Sequence, residues 1–147
     1  MPFIDIIEPE HAEGALKEIY EDLSQKRGKI AEVHKIQSLN PESIVRHMDL
    51  YMHIMFGKSP LRRVHREMMA VVVSKANDCQ YCQEHHAEAV QHYWKDADKT
   101  ALLKADYTLL ELETSERALC DYAWHLTQHP SENRENRIAA LREAGFS

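Results

Sequence analysis

The chain has 147 residues, 44% of them hydrophobic and 29% charged, the balance of an ordinary soluble globular protein with material for one domain and its own core. A net charge of −6, with ten histidines that form no basic patch, argues against a phosphate-backbone partner, so no nucleic acid is expected. No N-terminal apolar segment resembles a signal peptide and no run reaches transmembrane length, so the expected setting is cytoplasmic, without a membrane partner.

Four glycines and five prolines are few for a turn-rich β fold. Residues 1–9 read as extended, punctuated by Pro2 and Pro9. From Glu10 to Gln25 the residues Ala12, Ala15, Leu16, Ile19, Tyr20 and Leu23 recur at helical spacing, and Gly28 stops the run. Ile30 to Leu39 is a weaker, short helix with Ile30, Val33 and Ile36 inward. Asn40-Pro41 is a helix start, an N-cap followed by proline at the first position; the helix runs to Phe56, stops at Gly57, and gathers Ile44, Met48, Tyr51, Met52 and Met55 on one face.

Ser59-Pro60 repeats the start signal for a helix from Leu61 to about Ala76. Its run Met68 to Val73 is apolar all round, which marks it as central and buried. Asn77 and Asp78 are both N-cap types and break the helix, so a second one begins at the cysteines and continues through Ala87, Ala89 and Val90 to about Trp94. Asp98 to Lys104 is a short helix, and Tyr107 to Glu113 a connection with Leu109, Leu110 and Leu112 inward. Thr114 caps a helix to about Gln128, with Ala118, Leu119, Tyr122, Ala123 and Leu126 on its face; His129-Pro130 ends it, and a last helix runs from about Glu132 to Ala144 with Gly145 as its C-cap. With no repeat, low-complexity stretch or linker, residues 1–147 read as a single all-α domain.

The chemistry concentrates in residues 67–86, EMMAVVVSKANDCQYCQEHH. At about 100° per residue, Cys79, Cys82 and His86 share one stripe of one helix. Cysteines at a helix start meet unpaired N–H groups and the positive end of the dipole, which favour a thiolate, the nucleophilic form. His86, one turn after Cys82, is placed to exchange a proton with it or with a leaving group, and Glu67, folded back from the preceding helix, to orient or recharge the histidine. Two of three cysteines in Cys-x-x-Cys suit a redox or metal role rather than a structural disulfide framework.

Glu67, Cys79, Cys82 and His86 with these spacings resemble the signature of the AhpD-like alkylhydroperoxidases of the carboxymuconolactone decarboxylase superfamily. The surrounding REMMAVVVSKANDCQYCQEHH, the Asp106-Tyr107 segment, the helix opening TSERAL and the close LREAGFS are similar to its peroxidase-related branch, from about Leu50 onward. The resemblance implies an all-α, AhpD-like helical bundle that assembles as a homo-oligomer (trimer, hexamer or dimer). It implies a peroxidase in which Cys82 attacks a hydroperoxide, Cys79 resolves it as a disulfide, and Glu67 and His86 relay protons. No bound cofactor is then needed; the electrons come from an external dithiol reductant protein, a role that lipoyl proteins fill for the best-understood relatives. Two departures stand out. Tyr81 replaces a histidine that the best-known members carry just before the second cysteine, and family members usually continue beyond the LREAGFS-like segment with another helix.

Other readings of the same residues remain. The dithiol suits a general thiol–disulfide oxidoreductase, which differs only in its electron acceptor. Two thiolates and an imidazole on one helical face, with Glu67 or His85 as a fourth ligand, suit zinc in a non-catalytic interaction domain. A decarboxylase like the superfamily's name-giving members is disfavoured by Cys79, since those generally lack the pair. Glu67 read structurally is a buried carboxylate paired with Arg63 or Arg66; His65 and His85 read as surface or interface residues, Cys120 as a small buried thiol, and Met48, Met52 and Met55 as core or subunit interface.

Overall fold

The computed structural model describes residues 3–132 and 135–147. It is all-helical, with no strand among the described residues: α1 Gly14–Arg27, α2 Glu32–Lys35, α3 Pro41–Phe56, α4 Arg63–Ala76, α5 Gln80–Trp94, α6 Ala97–Asp106, α7 Thr114–Gln128 and α8 Glu135–Glu143. Short 3₁₀ turns occupy Pro9–His11 and Tyr107–Leu109. The chain divides into two compact units, residues 1–57 and 58–147. No helix is long and apolar enough to cross a membrane among the described residues.

In the first unit α1 packs on α3, burying Leu16, Tyr20 and Leu23 of α1 with Ala12 and Ile44. The expected start at Glu10 is displaced: Pro9 opens a 3₁₀ turn, Ala12 is extended, and the regular helix begins at Gly14. Gly28 ends it in the left-handed conformation, φ 75°. The short helix that follows turns a different face inward from the one expected. Val33 and Ile36 are exposed, whereas His34 and Ser38 are buried. Polar bonds decide this: His34 Nδ1 accepts the Ala31 N–H at 3.3 Å, and Ser38 Oγ accepts the Ile7 N–H at 2.8 Å. On α3, Ile44 and Met55 are buried, but Met52 stays exposed beneath Arg27, whose guanidinium reaches its sulfur at 3.4 Å and lies over Tyr51.

The second unit is built around α4, which packs against α5, α6 and α7. Met68, Val71 and Val72 are buried with Ala87 and Val90 of α5, Leu103 of α6, Tyr107 and Leu110 of the connection, and Cys120 and Ala123 of α7. The helix starts later than the Ser59-Pro60 signal indicates, because Ser59 Oγ accepts the Leu61 N–H and forms a turn instead of a cap. Asp96 caps α6 by accepting the Lys99 N–H at 2.9 Å. Thr114 is the first residue of α7 rather than its cap, which is Glu113. The expected start of the last helix at Glu132 runs into residues 133–134, which lie outside the described residues; its end matches, with Gly145 at φ 91° and the Phe146 N–H donating to Leu141 O.

The connection before α7 also departs from expectation at one residue. Asp106 accepts both the N–H and the hydroxyl of Thr108, closing a 3₁₀ turn that sends Tyr107 inward and Leu109 outward. Arg117 of α7 donates to the carbonyls of Tyr107, Thr108 and Leu110, and the Tyr107 hydroxyl donates to Asp121 at 2.9 Å. Cys120 is fully buried, and desolvation with the nearby Asp121 charge pushes its thiol up to about 12.

Two outcomes follow. Met68→Ala should cost about 2–5 kcal/mol in urea denaturation because it empties a core position, whereas Leu109→Ala should stay within about 0.5 kcal/mol. Iodoacetamide at pH 8 should leave Cys120 unmodified in the folded protein and modify it in denaturant, as read by peptide mass spectrometry. Comparable labelling in both states would contradict its burial.

Candidate functional site

The site forms where α4 hands over to α5. Asn77 ends α4, and Asp78 takes the left-handed conformation at φ 53°, which short polar residues tolerate. The Cys79 N–H returns to Ser74 O at 2.9 Å, and Gln128 of α7 donates to the exposed carbonyl of Ala76. The chain therefore reverses within three residues, and α5 runs back along α4. The break falls where the sequence indicated, but the cap is Cys79 rather than Asn77 or Asp78: its sulfur accepts the Cys82 N–H at 3.3 Å.

Cys79 at the cap and Cys82 in the first turn of α5 are joined by a disulfide, with their α-carbons 5.4 Å apart. Both are half-buried, at the surface end of the helix pair. Tyr81 between them points outward, 49% exposed, and His85 stacks parallel to it with ring centroids 6.4 Å apart.

One turn beyond Cys82, His86 faces α4. Its Nδ1 lies 2.7 Å from Oε2 of Glu67. Glu67 is 1% exposed, among the apolar side chains of α4. Its other oxygen, Oε1, accepts from Arg63 one turn earlier on the same helix. The three groups form a line, Arg63–Glu67–His86, that runs from the start of α4 to the second turn of α5. An ionised carboxylate only accepts, so Nδ1 of His86 must donate. In the neutral imidazole Nε2 is then the unprotonated nitrogen, able to take or return a proton.

Of the four residues singled out in the sequence, Glu67 and His86 are in direct contact and the two cysteines are bonded to each other. Of the two arginines considered as partners for Glu67, Arg63 makes the contact; Arg66 Nε donates to Leu61 O at 3.0 Å. Helical spacing contained this signal, since Arg63 and Glu67 are four residues apart. His65 is a correction. It is buried at 7% exposure rather than on the surface, between Arg62, which donates to Nε2, and Glu116 of α7 at 3.5 Å. Burial and the Arg62 charge lower its pKa, and Glu116 opposes them. Among the described residues no group of three or more His, Cys, Asp or Glu side chains is arranged to hold a metal ion.

The model of the carboxymuconolactone decarboxylase family matches residues 43–103, which span the helices that build this site. A crystal structure of an uncharacterized peroxidase-related protein from Silicibacter sp. TM1040 is 30% identical, with a TM-score of 0.83 over 99% of this chain and 74% of that one. Another, the alkylhydroperoxidase AhpD core of an uncharacterized peroxidase-related protein from Ralstonia eutropha JMP134, is similar in fold, with a TM-score of 0.85 at 23% identity over 98% of this chain and 76% of that one. No curated protein matches the chain. On its sequence, its helical architecture and these relatives, the chain belongs to the peroxidase-related proteins of the carboxymuconolactone decarboxylase superfamily.

Proposed function

We propose that the protein is a cysteine-dependent peroxidase that reduces a hydroperoxide through a dithiol–disulfide cycle, with Cys82 as the attacking residue and Cys79 as the resolving one. The observation that carries this reading is the hydrogen bond between buried Glu67 and His86, one helical turn from Cys82. A disulfide alone serves many purposes. A disulfide with an oriented imidazole beside it suits a reaction that takes a proton from a thiol and gives it to a leaving oxygen. The peroxidase-related relatives support the same chemistry.

In the reduced protein, Nε2 of His86 takes the proton of Cys82, whose thiolate is favoured by the first-turn N–H groups of α5. The thiolate attacks the hydroperoxide. A sulfur–oxygen bond forms, the oxygen–oxygen bond breaks, and the alkoxide leaves with the proton held by His86. Cys82 is then a sulfenic acid. Cys79 gives up its proton, attacks the Cys82 sulfur, and releases hydroxide, which leaves as water with that proton. Two thiols and one hydroperoxide become one disulfide, one alcohol and one water. An external dithiol restores the pair through disulfide exchange. The Glu67 carboxylate accepts from Nδ1 and stabilises the imidazolium each time it forms. Tyr81 is a poor substitute for the proton carrier, since a phenol ordinarily titrates near 10.

Steady-state peroxide consumption, with a reducing dithiol in excess, tests this reading. Glu67→Gln and His86→Ala should each lower turnover by roughly a hundredfold or more, and the double variant should lose little beyond either single one, because the two act as a unit. Near-normal activity in Glu67→Gln, or fully additive losses, would return Glu67 to a structural role. Cys82→Ser should abolish consumption. A wild-type protein that reduces disulfides but consumes no hydroperoxide would replace the peroxidase reading with that of a general thiol–disulfide oxidoreductase.

A further inference from the structure

The start of α4 is unusual for a helix start. The N-terminal end of a helix carries partial positive charge and favours acidic residues, yet the first turn of α4 has none. Arg62 occupies the cap, and Arg63, His65 and Arg66 follow within the next four residues. The order of the Arg63–Glu67 pair is also unfavourable, since the base precedes the acid, the weaker orientation for a helical ion pair. Helix stability therefore gives no reason for an arginine at position 63.

The reason lies at the other end of its side chain. Arg63 is itself largely buried, with 18% of its side chain exposed, and it reaches Oε1 of Glu67, whose side chain is 1% exposed. Oε2 of the same carboxylate faces His86 Nδ1 at 2.7 Å. A glutamate side chain has three rotatable bonds, the last of which turns the carboxylate plane; holding one oxygen against a guanidinium restricts where the other points. Charge matters as well as direction. A buried carboxylate whose only partner is a neutral imidazole is poorly solvated, and the guanidinium compensates it whether or not His86 carries a proton.

We propose that Arg63 is a positioning residue: it holds the Glu67 carboxylate turned so that Oε2 accepts the hydrogen bond from Nδ1 of His86, which leaves Nε2 free for the dithiol. It acts through Glu67, whose Oε1 it reaches. The effect on turnover rests on the peroxidase reading above; the orientation of His86 does not.

The test has two arms. In the reduced, ¹⁵N-labelled protein, a proton on Nδ1 bonded to a carboxylate gives a sharp, downfield, slowly exchanging resonance. Wild type and Arg63→Lys should show it, and in Arg63→Gln it should broaden or disappear. In steady-state assays Arg63→Gln should lower kcat by roughly tenfold to a hundredfold with little change in the KM for hydroperoxide, and Arg63→Lys should recover much of the loss. An unchanged resonance in Arg63→Gln, or a rise in KM with kcat intact, overturns the proposal.

Should Arg63→Gln fail to fold, the Arg63→Gln/Glu67→Gln double variant carries the test, since it has no charge left to compensate. It should fold and turn over like Glu67→Gln alone. A double variant that stays unfolded assigns Arg63 a purely structural role and overturns the proposal. If wild type consumes no hydroperoxide, the peroxidase reading falls while the resonance arm still decides the role of Arg63.

Discussion

A carboxylate sits almost wholly out of water on the central helix of the second unit, and its compensation governs how the helices around it are arranged. Removing one partner from a buried ion pair costs about 3–5 kcal/mol, because the remaining charge stays behind without water. Glu67 is held from two directions: by Arg63 one turn back on its own helix and by His86 across from α5. The second bond requires α5 to lie against α4 in one register. Every residue of the turn contributes to that register, from the left-handed Asp78 to the Cys79 N–H returned to Ser74.

The same register sets the position of the sulfurs. Because the reversal takes three residues, Cys79 caps α5 and Cys82 falls in its first turn, at the outer end of the pair, while His86 falls one turn deeper. Both cysteines and His86 are half-buried, whereas Glu67 behind them is shielded from water. Electrostatic interactions strengthen in that shielded setting. The apolar contacts of Met68, Val71 and Val72 with α5, α6 and α7 keep the pair together without themselves taking part in the chemistry. Core and candidate site thus share one buried face of one helix: Met68, Val71 and Val72 of α4 make the core, and Glu67 lies among them.

Most of this was legible in the sequence because it rests on period and punctuation. The all-helical architecture, the break at Asn77-Asp78, the shared stripe of the cysteines and His86, and the return of Glu67 toward that stripe follow from helical spacing and capping chemistry. What was not legible depended on side-chain hydrogen bonds that the period does not encode. Val33, Ile36 and Leu109 read as inward residues, but His34 and Asp106 spend their side chains on nearby backbone groups, Ser38 accepts the distant Ile7 N–H, and the chain turns the other way. His65 read as a surface or interface residue because its acidic partner is remote in sequence; Glu116 comes from α7, 51 positions later. Even the cap of α5 was hidden, since cysteine is not among the usual capping residues and its sulfur serves here instead of Asn77 or Asp78.

The central claim is that the dithiol and the relay act together on a peroxide, and peptide mass spectrometry after alkylation tests it most directly. Fully reduced protein is treated with one equivalent of an organic hydroperoxide, quenched with an alkylating agent and digested. The account predicts one Cys79–Cys82 disulfide for each hydroperoxide consumed, and in Cys79→Ser a sulfenic or more highly oxidised Cys82. Cys79 and Cys82 that both remain alkylatable, with the hydroperoxide unconsumed, would contradict it.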